Sequence, residues 1–416
     1  MDVKYNKGIP IYHELIDDIK SLLISNSVLA VLYINCSRIN KIEKMFGKKL
    51  YNDIHMNIKN IILNMVGKEI RHNDIIALNT PESDEFMIFL GKKREDRIFY
   101  PTDLESLCDR VTDYLDNSIF PITFPYLRGK PRINVGYAII LHNPLIKSER
   151  LINKLIEDAK IMSNYQEYRR LMRNKEKIQE LIMKGSINTV FQPIICFEDQ
   201  KVIGYEALSR GPEGTEYENP YLLFDAAAEA EVLFELDRLC RKKALMNARS
   251  IKPGHSLFIN CLPSAVHDPE FRDAYLTSFL NEVKINPVNI VLEITEREAI
   301  ENYELFKEAV SYYAGLGFSI AVDDTGTGYS GLETLFELKP DFIKVDISIV
   351  RAIDKNKVKQ ELAKALIALS KELNSTVIAE GIETEEELHT LREIGIKIGQ
   401  GFLFARPNAF FTDIKR

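Results

Sequence analysis

Residues 319–332 read SIAVDDTGTGYSGL, an apolar run that ends in two adjacent aspartates, Asp323 and Asp324, and then gives way to Gly and Thr. Adjacent carboxylates repel and lose hydration near a buried surface, so the pair needs compensation. Other short apolar runs end in polar groups in the same way. Glu206 stands in VIGYEAL (202–208), Asn260 in SLFINCL (256–262), Glu293 in NIVLEIT (289–295) and Lys344 with Asp346 in DFIKVDI (341–347). Glu380 follows in TVIAEGI (376–382) and Gln400 in IGQGFLF (398–404). Oxygen ligands from Glu, Asp and Asn, without Cys or His, select hard divalent cations such as Mg²⁺ or Mn²⁺ over zinc. Two such ions about 3.5–4 Å apart would turn mutual repulsion into shared coordination, one aspartate bridging both and its neighbour binding one. In a regular strand Asp323 and Asp324 point to opposite faces, so the chain must leave β geometry there, a freedom Gly326 and Gly328 supply. A two-cation centre beside Lys344 suits hydrolysis of a phosphodiester, the lysine facing the developing oxyanion or orienting the water. Its structural alternative is a salt bridge to Asp346. Arg210 has the planar fork that grips phosphate, against the alternative of a surface ion pair.

Positioning such groups requires elements whose ends converge. From TVFQPII (189–195) onward, short β-rich runs alternate with longer amphipathic stretches such as ENYELFKEAVSYYAGLG, where Gly317 can cap the helix. Eight strands over this stretch predict a (β/α)₈ TIM-type barrel, whose carboxyl-terminal strand ends meet at one mouth. Only CFEDQK separates the first two strands, so the spacing predicts an antiparallel hairpin there and a modified barrel. Upstream, residues 148–185 contain no Pro and no Gly before position 185, and read as a helical connector, solvated or signal-transmitting.

At 416 residues, the chain suits two domains. The formal net charge of −7 argues against general nucleic-acid binding, so a phosphate ligand would need metal ions or a few placed cations. The five cysteines are scattered without a C-x-x-C pair and read as reduced, structural thiols. The N-terminus lacks the apolar core of a signal peptide, and no run approaches the roughly 20 apolar residues of a membrane span. A cytoplasmic location is the expectation.

The motifs FQPI (191–194), YEALSR (205–210), INCLP (259–263), LEITER (292–297), DDTGTGYSGL (323–332), IKVD (343–346), AEGIET (379–384) and GQGFLFARP (399–407) resemble, in order and spacing, the EAL domain of cyclic di-GMP phosphodiesterases. The resemblance covers about residues 175–410. It implies a barrel that hydrolyses cyclic di-GMP to linear pGpG with two Mg²⁺ or Mn²⁺ ions. It further implies Glu206, Asn260, Glu293, Asp323 and Asp324 as metal ligands. Lys344 and Glu380 would order or activate the attacking water, and Glu380 would also touch a metal. Gln192, Arg210 and Gln400 would face the substrate. Glu296 would steady the loop after Asp324, with Asp346 and Glu383 as further supports. Thr325 departs from the Phe that many members carry, a change that leaves the ligands untouched.

Residues 30–53 and 70–90, within about 22–165, resemble a GGDEF diguanylate cyclase domain, an α/β fold, with its chemistry dismantled. Asn35 replaces a metal-binding aspartate, Glu43 replaces a guanine-contacting asparagine, and the signature has become Glu82-Ser83-Asp84-Glu85-Phe86. Losing both glycines puts Cβ atoms where a tight hairpin must approach a phosphate, and a neutral Asn35 weakens a Mg²⁺ site. No cyclase activity is expected. Arg71-x-x-Asp74 resembles the family's inhibitory product site, two residues too far from the signature. The expected organisation is a degenerate GGDEF-like regulatory domain (1–165), a helical connector (166–185) and an EAL phosphodiesterase domain (186–416). A homodimer is expected, with GTP or another nucleotide as a candidate ligand of the first domain. The competing function is a catalytically silent cyclic di-GMP receptor or scaffold, which could dispense with the metal ligands, Lys344 and Glu380. Another phosphodiester is a third reading.

Overall fold

The computed structural model describes residues 8–91, 101–127, 133–295, 303–325, 335 and 338–411. Two compact units, Met1–Asn174 and Lys175–Arg416, make up the chain.

In the first unit, β1 (Val28–Asn35), β2 (Ile75–Leu78), β3 (Glu85–Leu90) and β4 (Asn134–Leu141) form an antiparallel sheet in the order β2-β3-β1-β4. β1 is buried on both faces, so its apolar run does not alternate with polar residues. Ala30, Leu32 and Ile34 face the helices Lys48–Leu63 and Pro101–Leu127, through Ile58, Ile62, Val111 and Leu115. Leu29, Val31 and Tyr33 face Ile19 and Leu23 of the helix Ile16–Asn26, and Leu151, Ile152, Leu155 and Ala159 of the helix Ser148–Lys184. The connector helix is therefore not merely solvated. Its first three turns bury an apolar stripe in a core, and a Cβ on Gly136 of β4 would stand 2.2 Å from the Ser163 backbone nitrogen. The unit boundary falls inside this one helix.

The second unit holds a closed eight-stranded barrel of β5 (Asn188–Cys196), β6 (Val202–Arg210), β7 (Ser256–Asn260), β8 (Ile290–Thr295), β9 (Ser319–Thr325), β10 (Phe342–Val345), β11 (Thr376–Ala379) and β12 (Ile398–Gly399). β5 runs antiparallel to both neighbours, β6 and β12, and the remaining pairs are parallel. The short link after β5 leaves no room for a crossover helix, which gives the expected departure from a regular barrel. Ile194, Phe258, Val291, Ala321 and Ile378 fill the interior, with Phe342 and Ile398 against them. Outside, the helices Leu233–Asn247, Asp273–Val283, Tyr303–Gly315, Lys357–Leu373 and Glu385–Ile394 cover the strands with their apolar faces. The last strands are shorter than their apolar runs suggested. β12 keeps two residues and GFLF turns away, while Asp346 caps a short helix, Ile347–Val350.

Candidate functional site

The interior apolar layer dictates the site. Side chains two residues apart on a strand share a face, so each interior residue has a companion one step toward the mouth. Phe258 leads to Asn260, Val291 to Glu293, Ala321 to Asp323, Phe342 to Lys344, Ile378 to Glu380, and Ile398 to Gln400. On the antiparallel β5 the step runs backward, from Ile194 to Gln192, which lies opposite Glu206 in the register. Asn260 and Glu293 are also direct cross-strand neighbours.

Lys344, completely buried, is the hub. Its Nζ lies 2.7 Å from Glu293 Oε1, 2.7 Å from Glu380 Oε1, 3.2 Å from Asp323 Oδ2 and 3.5 Å from Glu206 Oε1. Neither Lys344 Nζ nor Glu293 Oε1 meets a partner at hydrogen-bonding angles, so their contact is ionic rather than directional. Asn260 Nδ2 donates to Glu206 Oε1 (3.4 Å) and Glu293 Oε2 (3.3 Å). Gln400 Nε2 donates to Glu206 Oε2 and to Glu380 Oε1 (2.9 Å). No ion pair joins Lys344 to Asp346 among the described residues. Asp346 instead accepts from the Ser348 N–H at 2.8 Å and caps its helix.

One ammonium faces four carboxylates, and the protonation balance shows the excess. Burial raises the Glu293 carboxyl well above its ordinary range, and the charges of Glu206 and Asp323 add to this against the pull of Lys344. Burial likewise raises Glu380 well above its range, with repulsion from Asp323 and Glu206. Asp323 is raised as well, chiefly by burial. Glu206 is the exception. Burial would raise it, but the Lys344 ammonium and the Gln400 and Asn260 donors hold it below its ordinary value. Burial opposes the charge on Lys344, yet the surrounding acids keep its pKa well above the usual lysine value.

Asp323 and Asp324 reach the same mouth because the chain leaves β geometry at Asp324 itself, with φ of +56°. The β9–β10 register shifts beside it, between Ile343 and Val345. The glycines expected to permit this break, Gly326 and Gly328, lie outside the described residues, as does Glu296. Asp324 N donates to Asp323 Oδ1 at 2.8 Å. Its residue is solvent-exposed, but its carboxyl sits against the acidic mouth. Burial, then Asp323 and Asp346, push it up to about 6. Among the described residues two carboxylate groups result, each with one oxygen per residue within 4.8 Å of the others: Glu206, Glu293 and Asp323, and Asp323, Asp324 and Glu380. Asp323 belongs to both.

The remaining candidates lie around this ring. Gln192 donates to the Ala405 carbonyl at 3.3 Å, and Arg210, half-buried at the end of β6, donates to the Ser209 carbonyl at 2.8 Å. Glu383 pairs with Arg351 at 2.7 Å, away from Lys344. Sequence reasoning missed Glu387. Its buried carboxylate accepts from the N–H groups of Glu383 (2.9 Å), Thr384 (3.1 Å) and Ala352 (2.8 Å), tying the loop after β11 to the loop after β10. The signal was present as Thr384-x-x-Glu387, a capping box. Gly381, beside Glu380, holds φ of +68°, and a Cβ there would stand 2.3 Å from Ile347 Cγ1. Also missed was the buried network in which Arg241 pairs with Asp237 (2.7 Å) and Asp268 (3.0 Å), while Asp237 accepts from Leu262 N two residues beyond Asn260.

In the first unit, Asn35 Oδ1 accepts from Ser37 N, and Asp84 accepts from Tyr51 Oη at 2.6 Å. Glu85 pairs with Lys160 at 3.2 Å, and Glu82 sits at φ of +55°, the left-handed region that glycine occupies without strain. Asp74 accepts from the Arg71 backbone N–H at 2.8 Å, a local turn bond.

Residues 175–407 match the EAL domain family. Among curated proteins, the chain is 29% identical over 308 residues to the "Probable cyclic di-GMP phosphodiesterase PdeG" of Escherichia coli (strain K12), covering 70% of this chain and 60% of that protein. It is 26% identical over 393 residues to the "Cyclic di-GMP phosphodiesterase PdeA" of Borreliella burgdorferi, covering 92% of this chain and 53% of that protein. The chain thus spans little more than half the length of these relatives. Among solved structures, the FimX EAL domain from Pseudomonas aeruginosa bound to c-di-GMP superposes with a TM-score of 0.52 at 25% identity, covering 57% of this chain and 98% of that one. With a matching family that takes in more than half its length, and with the carboxylate-lined mouth in that same stretch, the chain belongs to the EAL domain family.

Proposed function

We propose that the second unit hydrolyses cyclic di-GMP to linear pGpG with two divalent cations, Mg²⁺ or Mn²⁺, and that the first unit is a GGDEF-like regulatory domain without cyclase activity. The observation that carries the catalytic reading is the pair of carboxylate groups sharing Asp323. The relatives named as cyclic di-GMP phosphodiesterases support the choice of substrate.

The donor set fits the cations. It is all oxygen, holds more negative charge than Lys344 balances, and leaves a buried carboxylate oxygen, Glu293 Oε1, without a directional partner. Glu206, Asn260, Glu293 and Asp323 would hold one ion. Asp323, Asp324 and Glu380 would hold the other, the Asn260 amide turning its oxygen inward. When bound, the ions supply a nucleophile at neutral pH and charge stabilisation at phosphorus. The surrounding acids favour the charged form of Lys344, which suits it to orient the water and stabilise the oxyanion. Glu380, poised between Lys344 and Gln400, can take the proton from the attacking water. Arg210, Gln192 and Gln400 would contact the dinucleotide, and Asp346 and Glu383 would support the loops.

For the first unit, support comes from a signature hairpin forced into a left-handed turn at Glu82 and from acids committed to internal partners, Asp84 to Tyr51 and Glu85 to Lys160. The deciding experiment incubates the purified chain with cyclic di-GMP and Mg²⁺ or Mn²⁺ and separates the products by anion exchange. pGpG that disappears with a chelator is the expected result. Binding without turnover would leave a receptor in place of an enzyme.

A further inference from the structure

Between the helices Asn40–Phe46 and Lys48–Leu63 the first unit turns a corner at Gly47, which holds φ of +86°. Residues 43–49 are all exposed, and a Cβ on Gly47 would meet no atom within 4 Å, so the corner projects. A water-facing helix surface is normally polar. Here the tip is apolar, with Met45 68% and Phe46 48% exposed. The Phe46 ring meets Tyr126 edge-on at 5.5 Å, which sets the corner against the end of the helix Pro101–Leu127. Residues 117–127, the last turns of that helix, carry no charged side chain.

Around this tip the charge is positive. Residues 40–49 hold Lys41, Lys44, Lys48 and Lys49 against Glu43 alone, in a chain whose formal net charge is −7. Asp53 follows one turn further along the second helix. All four lysines are exposed, and none of them makes an ion pair among the described residues. Other exposed lysines of the chain do find acids, Lys184 with Glu180, Lys201 with Asp199 and Lys364 with Glu361. Steps of three and four put Lys41, Lys44 and Met45 on one helix face. We propose that this corner docks the chain on an anionic membrane surface, Met45 and Phe46 entering among the lipid headgroups and the four lysines meeting their phosphates. Interfacial segments combine these same two features, apolar side chains at the boundary and lysines beside them. Lysine suits the place because its aliphatic stem lies along apolar surface while its ammonium reaches for phosphate. A protein partner would need a socket shaped to a projecting tip, whereas a lipid layer yields around it. A nucleic acid would use the lysines but leave Met45, which cannot stack on a base, in water. The docking is peripheral, since no helix among the described residues is long and apolar enough to cross a membrane. An acidic chain is repelled by an anionic surface everywhere except at such a basic corner, which fixes the orientation of approach.

This proposal does not rest on the catalytic reading, and its test measures binding rather than turnover. The full chain is floated with phosphatidylcholine vesicles that contain or lack phosphatidylglycerol. It should rise with the anionic vesicles only, and less so as salt is added. Lys44→Gln with Lys48→Gln should weaken the partition by roughly tenfold or more. Met45→Ser with Phe46→Ser should weaken it as well. All four positions are exposed, so circular dichroism should report an unchanged fold. The chain has no tryptophan, so Met45→Trp supplies a single reporter, whose emission should shift to the blue on anionic vesicles and be quenched by brominated lipid. A chain that does not float, flotation indifferent to either pair of substitutions, or a reporter that stays in water would each overturn the docking. Binding of an oligonucleotide in place of the vesicles would assign the lysines to nucleic acid and overturn it too.

Discussion

At the scale of single residues, the site is governed by a charge imbalance around Lys344. Replacing it with Met would leave Glu206, Glu293, Asp323 and Glu380 facing one another without a cation. Breaking a buried charge set costs about 3–5 kcal/mol, so Lys344→Met should lower metal-free stability by that order. Urea unfolding with and without Mn²⁺ checks this, and the metal should recover part of the loss. Glu380→Gln removes the proposed base while keeping the side chain's size, and should lower kcat by about 10²–10⁴-fold. A Glu380→Gln enzyme with normal kcat would assign the proton to another group. The raised acids also set a pH dependence. Asp324, pushed up to about 6, favours the folded state at low pH, and that contribution is lost as pH rises through about 6. The metal-free protein should therefore lose stability between roughly pH 4 and 7. Divalent metal should flatten the slope and release protons, measurable by calorimetry in buffers of different ionisation enthalpy.

At the scale of elements, the ligand-bearing loops depend on ties that contact no ligand. Glu387 joins the loop that follows Lys344 to the loop that contains Glu383, through three backbone N–H groups. Glu387→Ala orphans those donors and should cost roughly 1–3 kcal/mol or more of stability. It should also lower kcat more than it changes KM, because Glu380 and Lys344 then lose their common frame. Thermal melts and steady-state kinetics on the same preparation separate the two effects. Arg241 plays a comparable part behind Asn260, where Asp237 both pairs with it and accepts from Leu262 N.

At the scale of the molecule, a barrel that carries an acidic ring occupies one compact unit, and an antiparallel sheet covered by helices on both faces occupies the other. In the first unit, Asp84 is engaged by Tyr51 and Glu85 by Lys160. With GTP and Mg²⁺ the chain should therefore form no cyclic di-GMP, as assayed by liquid chromatography. Detectable synthesis would overturn the regulatory reading of that unit.

Much of this was legible without coordinates, because local chemistry repeats along the chain. Strand identity followed from β-rich runs, the reversed first hairpin from the shortness of CFEDQK, and the ring from the polar groups that stand at the ends of those runs. Tertiary structure alone decided which acids share an oxygen environment. Whether Lys344 pairs with Asp346 or with four other carboxylates depends on how eight strands close, and no spacing within one strand encodes that. The same holds for the connector helix, whose face carrying Leu151, Ile152, Leu155 and Ala159 is buried because it meets the sheet of the first unit. Sequence specifies the groups and their local directions. Closure of the barrel sets the distances between them, and electrostatic energy depends on those distances.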